Sequence, residues 1–236
     1  MSDRQWGLHR QLLMRKDRSW TRLLATVSAV LQRNGISHWV DGGNLLALCR
    51  DGRVVPNLRD GDIDLAVIWD EETFRRTRSL REEFEALGLH FEVGNFHLTV
   101  ARTLPGQWRH PAKAFRQMLP SISFGVYAPV HITLYRRHAG DLWSAWMNKA
   151  SGDYLPRVFP LRFAVELTEL EVAGSSFPVP HLWEQYLEYR YGTTWRIPTQ
   201  DWTYYKDDGT IEPSWVGSPV FHNWPCQSTS QISIKE

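Results

Sequence analysis

Cysteine is nearly absent from this chain, its charges cancel, and no stretch of apolar residues runs far without a charged one. The two cysteines, Cys49 and Cys226, show no metal-ligand spacing, which excludes a cysteine-built zinc site or a disulfide-stapled scaffold and fits a reducing compartment. Lys and Arg number 27 against 26 Asp and Glu, a net charge of +1. Such a balance leaves no polybasic footprint, so nucleic acid is not expected as the main partner. No apolar run reaches the length of a membrane span, and the N-terminal stretch to Arg18 is too charged for a signal peptide. The expectation is a cytoplasmic protein without a membrane span. What is plentiful is chain and aromatic surface: 236 residues with 12 Trp can bury a full core in one or two domains.

The pattern along the chain predicts an α/β (α+β) fold. Apolar residues at helical spacing over residues 6–34 (Leu12, Leu13, Leu23, Leu24, Val27, Val30, Leu31) give one or two helices ending at Asn34-Gly35. A strand at 36–40, a Gly42-Gly43 turn, a helix to Asp51-Gly52 and a second strand at 63–69 follow. Asp70 is placed to cap a helix over 71–87. Strand-like runs come next at 89–93, 97–102 and 121–134, the last broken near Pro129, and residues 104–120 read as loop or short helix. Residues 1–140 are expected to form a catalytic core with a mixed sheet and flanking helices. Residues 141–205 should form a helical and loop extension packed on it, and 206–236 a tail that is partly disordered.

Two local features carry chemistry. The Gly42-Gly43 turn opens a helix at Asn44, a place where backbone N–H groups and the helix start can meet an anion. Taken alone, a Gly-Gly pair is most often a plain turn. About twenty residues on, Asp62 and Asp64 stand two apart at the start of a strand, so both carboxylates point to one face while Ile63 and Leu65 point to the other. Paired acids repel unless a hard dication lies between them. An Asp-x-Asp alone is more often a solvated acidic loop, and it is the coupling to the upstream glycines that favours a metal-and-phosphate site. Cys49 reads as a core residue, and His90, His97 and His181 as ordinary surface or core residues. The aromatics of the last third (among them Trp143, Trp146, Trp183, Trp195, Tyr186 and Tyr191) suit packing better than a cage for a quaternary ammonium.

These residues resemble the LicD-type phosphotransferases, the group that includes the fukutin and fukutin-related proteins within the nucleotidyltransferase superfamily. Gly42, Gly43, Leu45, Leu46, Arg50 and Pro56 match its Gly-Gly-Thr-Leu-Leu-Gly-x-x-Arg and Ile-Pro pattern, and Asp60, Asp62 and Asp64 its three spaced acids. Pro160, Pro178 and Pro180, Tyr186-Leu187 and Tyr191-Gly192-Thr193-Thr194-Trp195 are similar to its closing elements. The resemblance implies a nucleotidyltransferase-like fold and phosphoryl transfer assisted by Mg²⁺ or Mn²⁺. The metal would sit on Asp62 and Asp64, with Asp60 as a third catalytic acid. Gly42, Gly43, Asn44 and Arg50 would hold the donor's phosphates. The donor implied is a CDP-alcohol such as CDP-choline or CDP-ribitol, and the acceptor a glycan or small-molecule hydroxyl.

The chain departs from that pattern at Asn44, where the family has Thr, at Ala47, where it has Gly, and at Asn57-Leu58-Arg59, which replace a single Trp. A further departure touches the chemistry. The family's additional metal-binding Asp on a later strand aligns with Thr133 in His131-Ile132-Thr133-Leu134-Tyr135. Either Asp60 or His131 makes good the missing charge, or the strand aligns differently, or the chemistry is weakened or lost. Two other readings therefore stay open: a small-molecule nucleotidyltransferase using an NTP, and an inactive nucleotide-binding homologue.

Overall fold

A computed structural model describes residues 3–55, 62–94, 96–102, 129–147, 154–199 and 207–211. Helix α1 (Asp3–Arg33) leads into strand β1 (His38–Val40), helix α2 (Gly42–Asp51) and strand β2 (Ile63–Ile68). Helices α3 (Glu71–Arg75) and α4 (Thr77–Ala86) precede β3 (Leu89–Val93), β4 (His97–Arg102), β5 (Val130–His138), β6 (Asp141–Met147) and β7 (Tyr154–Pro160). A one-turn helix α5 (Arg162–Val165), a hairpin β8 (Leu167–Val172) and β9 (Ser175–Pro180), and helix α6 (Trp183–Tyr191) complete the order.

The sheet runs β1-β2-β5-β4-β3, with β2 and β5 parallel and the other pairs antiparallel. It is thus a mixed sheet with flanking helices, an α+β architecture. Strand parity divides it into two faces. One carries His38, Val40, Leu65, Val67, Ile132 and Leu134 toward α1, where Ser28 Oγ meets His38 Nε2 at 2.7 Å. The helical-spacing residues Leu23, Leu24, Val27, Val30 and Leu31 are buried there. The other face carries Trp39, Tyr135 and the acids, and an aromatic layer covers its far end: Trp39 stacks on Tyr135 at 6.0 Å, and Phe159 stands edge-on to Tyr135 at 4.7 Å and meets Tyr186 of α6 at 5.3 Å.

Three expectations are modified. The helix expected over 71–87 is broken at Arg76, although Asp70 caps it as anticipated, accepting from the Thr73 N–H at 2.8 Å. The strand near Pro129 begins at Val130 and runs on to His138; residues 103–128, which include the rest of that run, lie outside the described residues. The segment after residue 140 contains four strands as well as helix and loop, because β6 and β7 extend the sheet from the end of β5 and β8 and β9 form their own hairpin. Its aromatics pack: Tyr186 is fully buried, Trp143 and Trp195 are buried, and the face of Trp195 is taken by the Arg196 guanidinium at 4.1 Å. Trp202, Trp215 and Trp224 lie outside the described residues.

Candidate metal and phosphate site

Strand β1 ends beside the start of β2, and the Asp41 N–H donates to Asp64 O at 3.1 Å. The chain must then turn sharply into α2. Gly42 makes that turn at φ +61°, and a Cβ there would stand 2.9 Å from Asp64 Oδ2, so both backbone and space demand glycine. Gly43 faces open space, with nothing within 4 Å of where a Cβ would be. The first turn of α2 holds no acidic side chain, but the Gly42 N–H already meets the Asp41 carboxylate, so an anion would meet the N–H groups that follow it.

Asn44 is buried and has both ends of its amide engaged: Oδ1 accepts from the Asp64 N–H at 2.8 Å and Nδ2 donates to Val55 O at 2.6 Å. It fastens the turn to the acidic strand and to the loop that precedes it. Arg50 lies in the last turn of α2, and its guanidinium lies against Asp51 at 3.0 and 3.1 Å. A rise of 1.5 Å per residue puts it roughly 10 Å along the helix from Gly43, so Arg50 is not drawn to the turn. Cys49 is half-buried, its thiol pushed up to about 12 by burial first and Glu184 second, which suits packing and not nucleophilic attack.

Asp62 and Asp64 share a sheet face as their spacing predicts; Asp60 lies outside the described residues. The parallel register pairs Asp64 with His131 and Ala66 with Thr133. The side chain beside the two acids is therefore His131, and Thr133 sits one pleat deeper. His131 Nδ1 lies 2.8 Å from Asp62 Oδ2, while Asp62 Oδ1 is buried with no hydrogen-bond partner among the described residues. The Asp64 carboxyl is held well above the ordinary range, first by loss of hydration and then by the negative charges of Asp62 and Asp41, against a smaller pull from Arg190 and Arg157.

Sequence reasoning missed the neighbouring cluster. Asp41 is buried and accepts from Tyr186 OH, from Tyr135 OH at 3.2 Å and from Arg190 Nη1 at 3.2 Å. Arg190 Nε reaches Asp208 at 3.2 Å, and Asp208 in turn accepts from the Thr210 N–H at 3.0 Å. Burial pushes the Asp41 carboxyl up, but Arg190, Arg157 and Tyr186 outweigh it and hold it below the usual carboxylate range. The available signal was an acid directly before the Gly-Gly turn; its partners Tyr135, Tyr186 and Arg190 lie 94, 145 and 149 residues away in the chain.

No three His, Cys, Asp or Glu side chains converge as a ready-made metal cage among the described residues. A hard dication does not need one, because Mg²⁺ is commonly held by one or two carboxylates with water and substrate phosphates supplying the rest. Two oxygen-donor side chains, one unpartnered buried oxygen and a carboxyl under like-charge pressure fit such an ion. Among the described residues, no helix is long and apolar enough to cross a membrane.

Comparison with known proteins finds a distant similarity to a transferase. No family model matches the chain. It is 18% identical over 215 residues to the ribitol-5-phosphate transferase FKTN of Homo sapiens, covering 91% of this chain and 40% of that protein. The ribitol-5-phosphate transferase FKTN of Macaca fascicularis matches to the same extent. The chain thus spans about two fifths of the length of the curated relatives it matches, and its similarity is to a transferase of a phosphate-bearing group.

Proposed function

We propose that this chain is a metal-dependent phosphotransferase of LicD type, which moves a phospho-alcohol such as ribitol phosphate or phosphocholine from a CDP-activated donor to a sugar hydroxyl. The observation that carries the reading is the contact between the two halves of the motif: the Gly42 turn lies against the Asp64 carboxylate, beside an unpartnered oxygen of Asp62. A phosphate at the start of α2 would therefore lie next to the acids that could hold the ion. When bound, the dication neutralises charge on the transferring and leaving phosphates, which is most of what this reaction requires.

The chain's own residues do the rest. Asp62 and Asp64 hold the ion, Gly42 allows donor phosphate and carboxylate to approach, and the open ground before Gly43 receives the phosphate on backbone N–H groups. Asn44 keeps the turn and the acidic strand in fixed relation. Arg50 would assist only after leaving Asp51. The similarity to a ribitol-5-phosphate transferase supports transfer of a phosphate-bearing group.

The test is release of CMP from a panel of CDP-alcohols with Mg²⁺ or Mn²⁺ and pooled sugar acceptors, beside Asp62→Asn. CMP release that falls roughly 100-fold or more in the variant is expected, since the ion supplies several kcal/mol of charge stabilisation. Pyrophosphate from an NTP would replace the reading by nucleotidyl transfer. Neither product, with nucleotide still bound, would show a fold that has lost the chemistry.

A further inference from the structure

Asp62 is bound asymmetrically. One carboxylate oxygen, Oδ2, is 2.8 Å from His131 Nδ1, and the other, Oδ1, is buried without a partner among the described residues. A buried carboxylate with a bare oxygen is costly unless something meets it, and here the residue that fixes which oxygen stays bare is His131. The imidazole is itself held. Its ring lies 5.2 Å from the His97 ring at a tilt of 35°, and His97 is seated over Gly94, where a Cβ would press on the His97 ring at 3.1 Å and on its carbonyl oxygen at 3.0 Å. The Gly94 N–H closes this short turn on His97 O at 2.8 Å. Gly94, His97, His131 and Asp62 thus form a row of contacts ending on Asp62 Oδ2, the oxygen opposite the bare one.

We propose that His131 is a positioning residue for the metal: by donating from Nδ1 to Asp62 Oδ2 it turns Oδ1 toward the dication, and so acts through Asp62 and not as a ligand. This rests on the metal-dependent reading above. Groups that orient a metal's carboxylate ligands in this way commonly carry 10- to 100-fold of metal affinity.

The experiment is Mn²⁺ binding to the full chain, followed by electron paramagnetic resonance of free Mn²⁺ and by calorimetry, with far-ultraviolet circular dichroism to verify folding. His131→Ala should weaken Mn²⁺ binding by about 10- to 100-fold. An Asn amide nitrogen occupies nearly the place of Nδ1, and a Gln amide nitrogen that of Nε2. His131→Asn should therefore bind within a few-fold of the parent, while His131→Gln should behave like His131→Ala. This split separates orientation through Nδ1 from a general need for a polar side chain, and it stays readable if the alanine variant fails to fold. Parent-like binding in His131→Ala, or rescue by Gln and not by Asn, overturns the proposal while leaving the metal reading intact, provided Asp62→Asn abolishes binding. No Mn²⁺ binding by the parent chain overturns both.

Discussion

Asp41 and Asp64 are neighbours across β1 and β2 on the same face of one sheet, and their surroundings treat them in opposite ways. Asp41 is given two tyrosine hydroxyls and an arginine, and its carboxyl is held below the usual range. Asp64 loses its hydration and faces two more acids, which the smaller pull of Arg190 and Arg157 does not offset, and its carboxyl is held well above that range. The difference teaches that burial of an acid is not in itself a sign of function. Asp41 is a satisfied charge that belongs to the scaffold, whereas Asp64 stands under the charge of two other acids, and the fold tolerates it where a ligand can offset them. Gly42 follows Asp41 in the chain and its turn lies against the Asp64 carboxyl, so it links the scaffold side to the chemical side.

The comparison breaks most completely at Arg190. Replacing it with Ala leaves Asp41 and Asp208 buried with only the more distant Arg157 to offset them, and removing one partner of a buried pair costs about 3–5 kcal/mol. The expected outcome is a large fall in the urea midpoint, with Asp62→Asn showing no comparable loss; equal midpoints in the two variants would contradict the division drawn here. Gly42→Ala should cost about 1–2 kcal/mol through the left-handed backbone alone. It should also weaken metal binding, because the new Cβ would stand 2.9 Å from Asp64 Oδ2; calorimetry with Mn²⁺ beside chemical denaturation reads both effects.

Acid should sharpen the contrast with a smaller effect. His38 is lowered from 6.5, chiefly by burial. Its contribution to stability is therefore present above that value and lost as pH falls through the folded-state value. Asp41, also lowered, loses its contribution only below the carboxylate range. Asp64 has the opposite sign: its folded-state value is raised, so its stability contribution is complete below pH 3.8 and is lost as pH rises through the folded value. Asp64→Asn should accordingly be more stable than the parent at pH 7 without metal. Denaturation midpoints across pH should show that gap closing as pH falls, and Mg²⁺ or Mn²⁺ at pH 7 should stabilise the parent and not the variant.

Much of this was legible in the chain. The period-3.6 apolar pattern of α1, the glycine turn into α2 and the alternation of Ile63, Asp64 and Leu65 are local signals, and each led to the element observed. Strands β6 to β9 were not foreseen: Leu167–Val172 carries the same alternation, with Glu169 and Glu171 at alternate positions, and what local sequence left open is its pairing with Ser175–Pro180. The placement of Thr133 against the acids was a register question. Local sequence cannot decide a register when a shift of two residues keeps every side chain on the same face. Asn44 and Arg50 were legible as positions and not as partners.

The sequence by itself determined the two parts of the motif, since a turn that needs glycine and a strand that alternates acids with apolar residues are dictated within a few bonds. Only the tertiary structure decided that His131 stands beside the acids, that Asp41 is neutralised from the far end of the chain by Arg190, which Asp208 also holds, and that Asp64 is left under pressure. Charge balance in a folded protein is set by neighbours in space, and those neighbours are brought together by strand register and by the docking of α6.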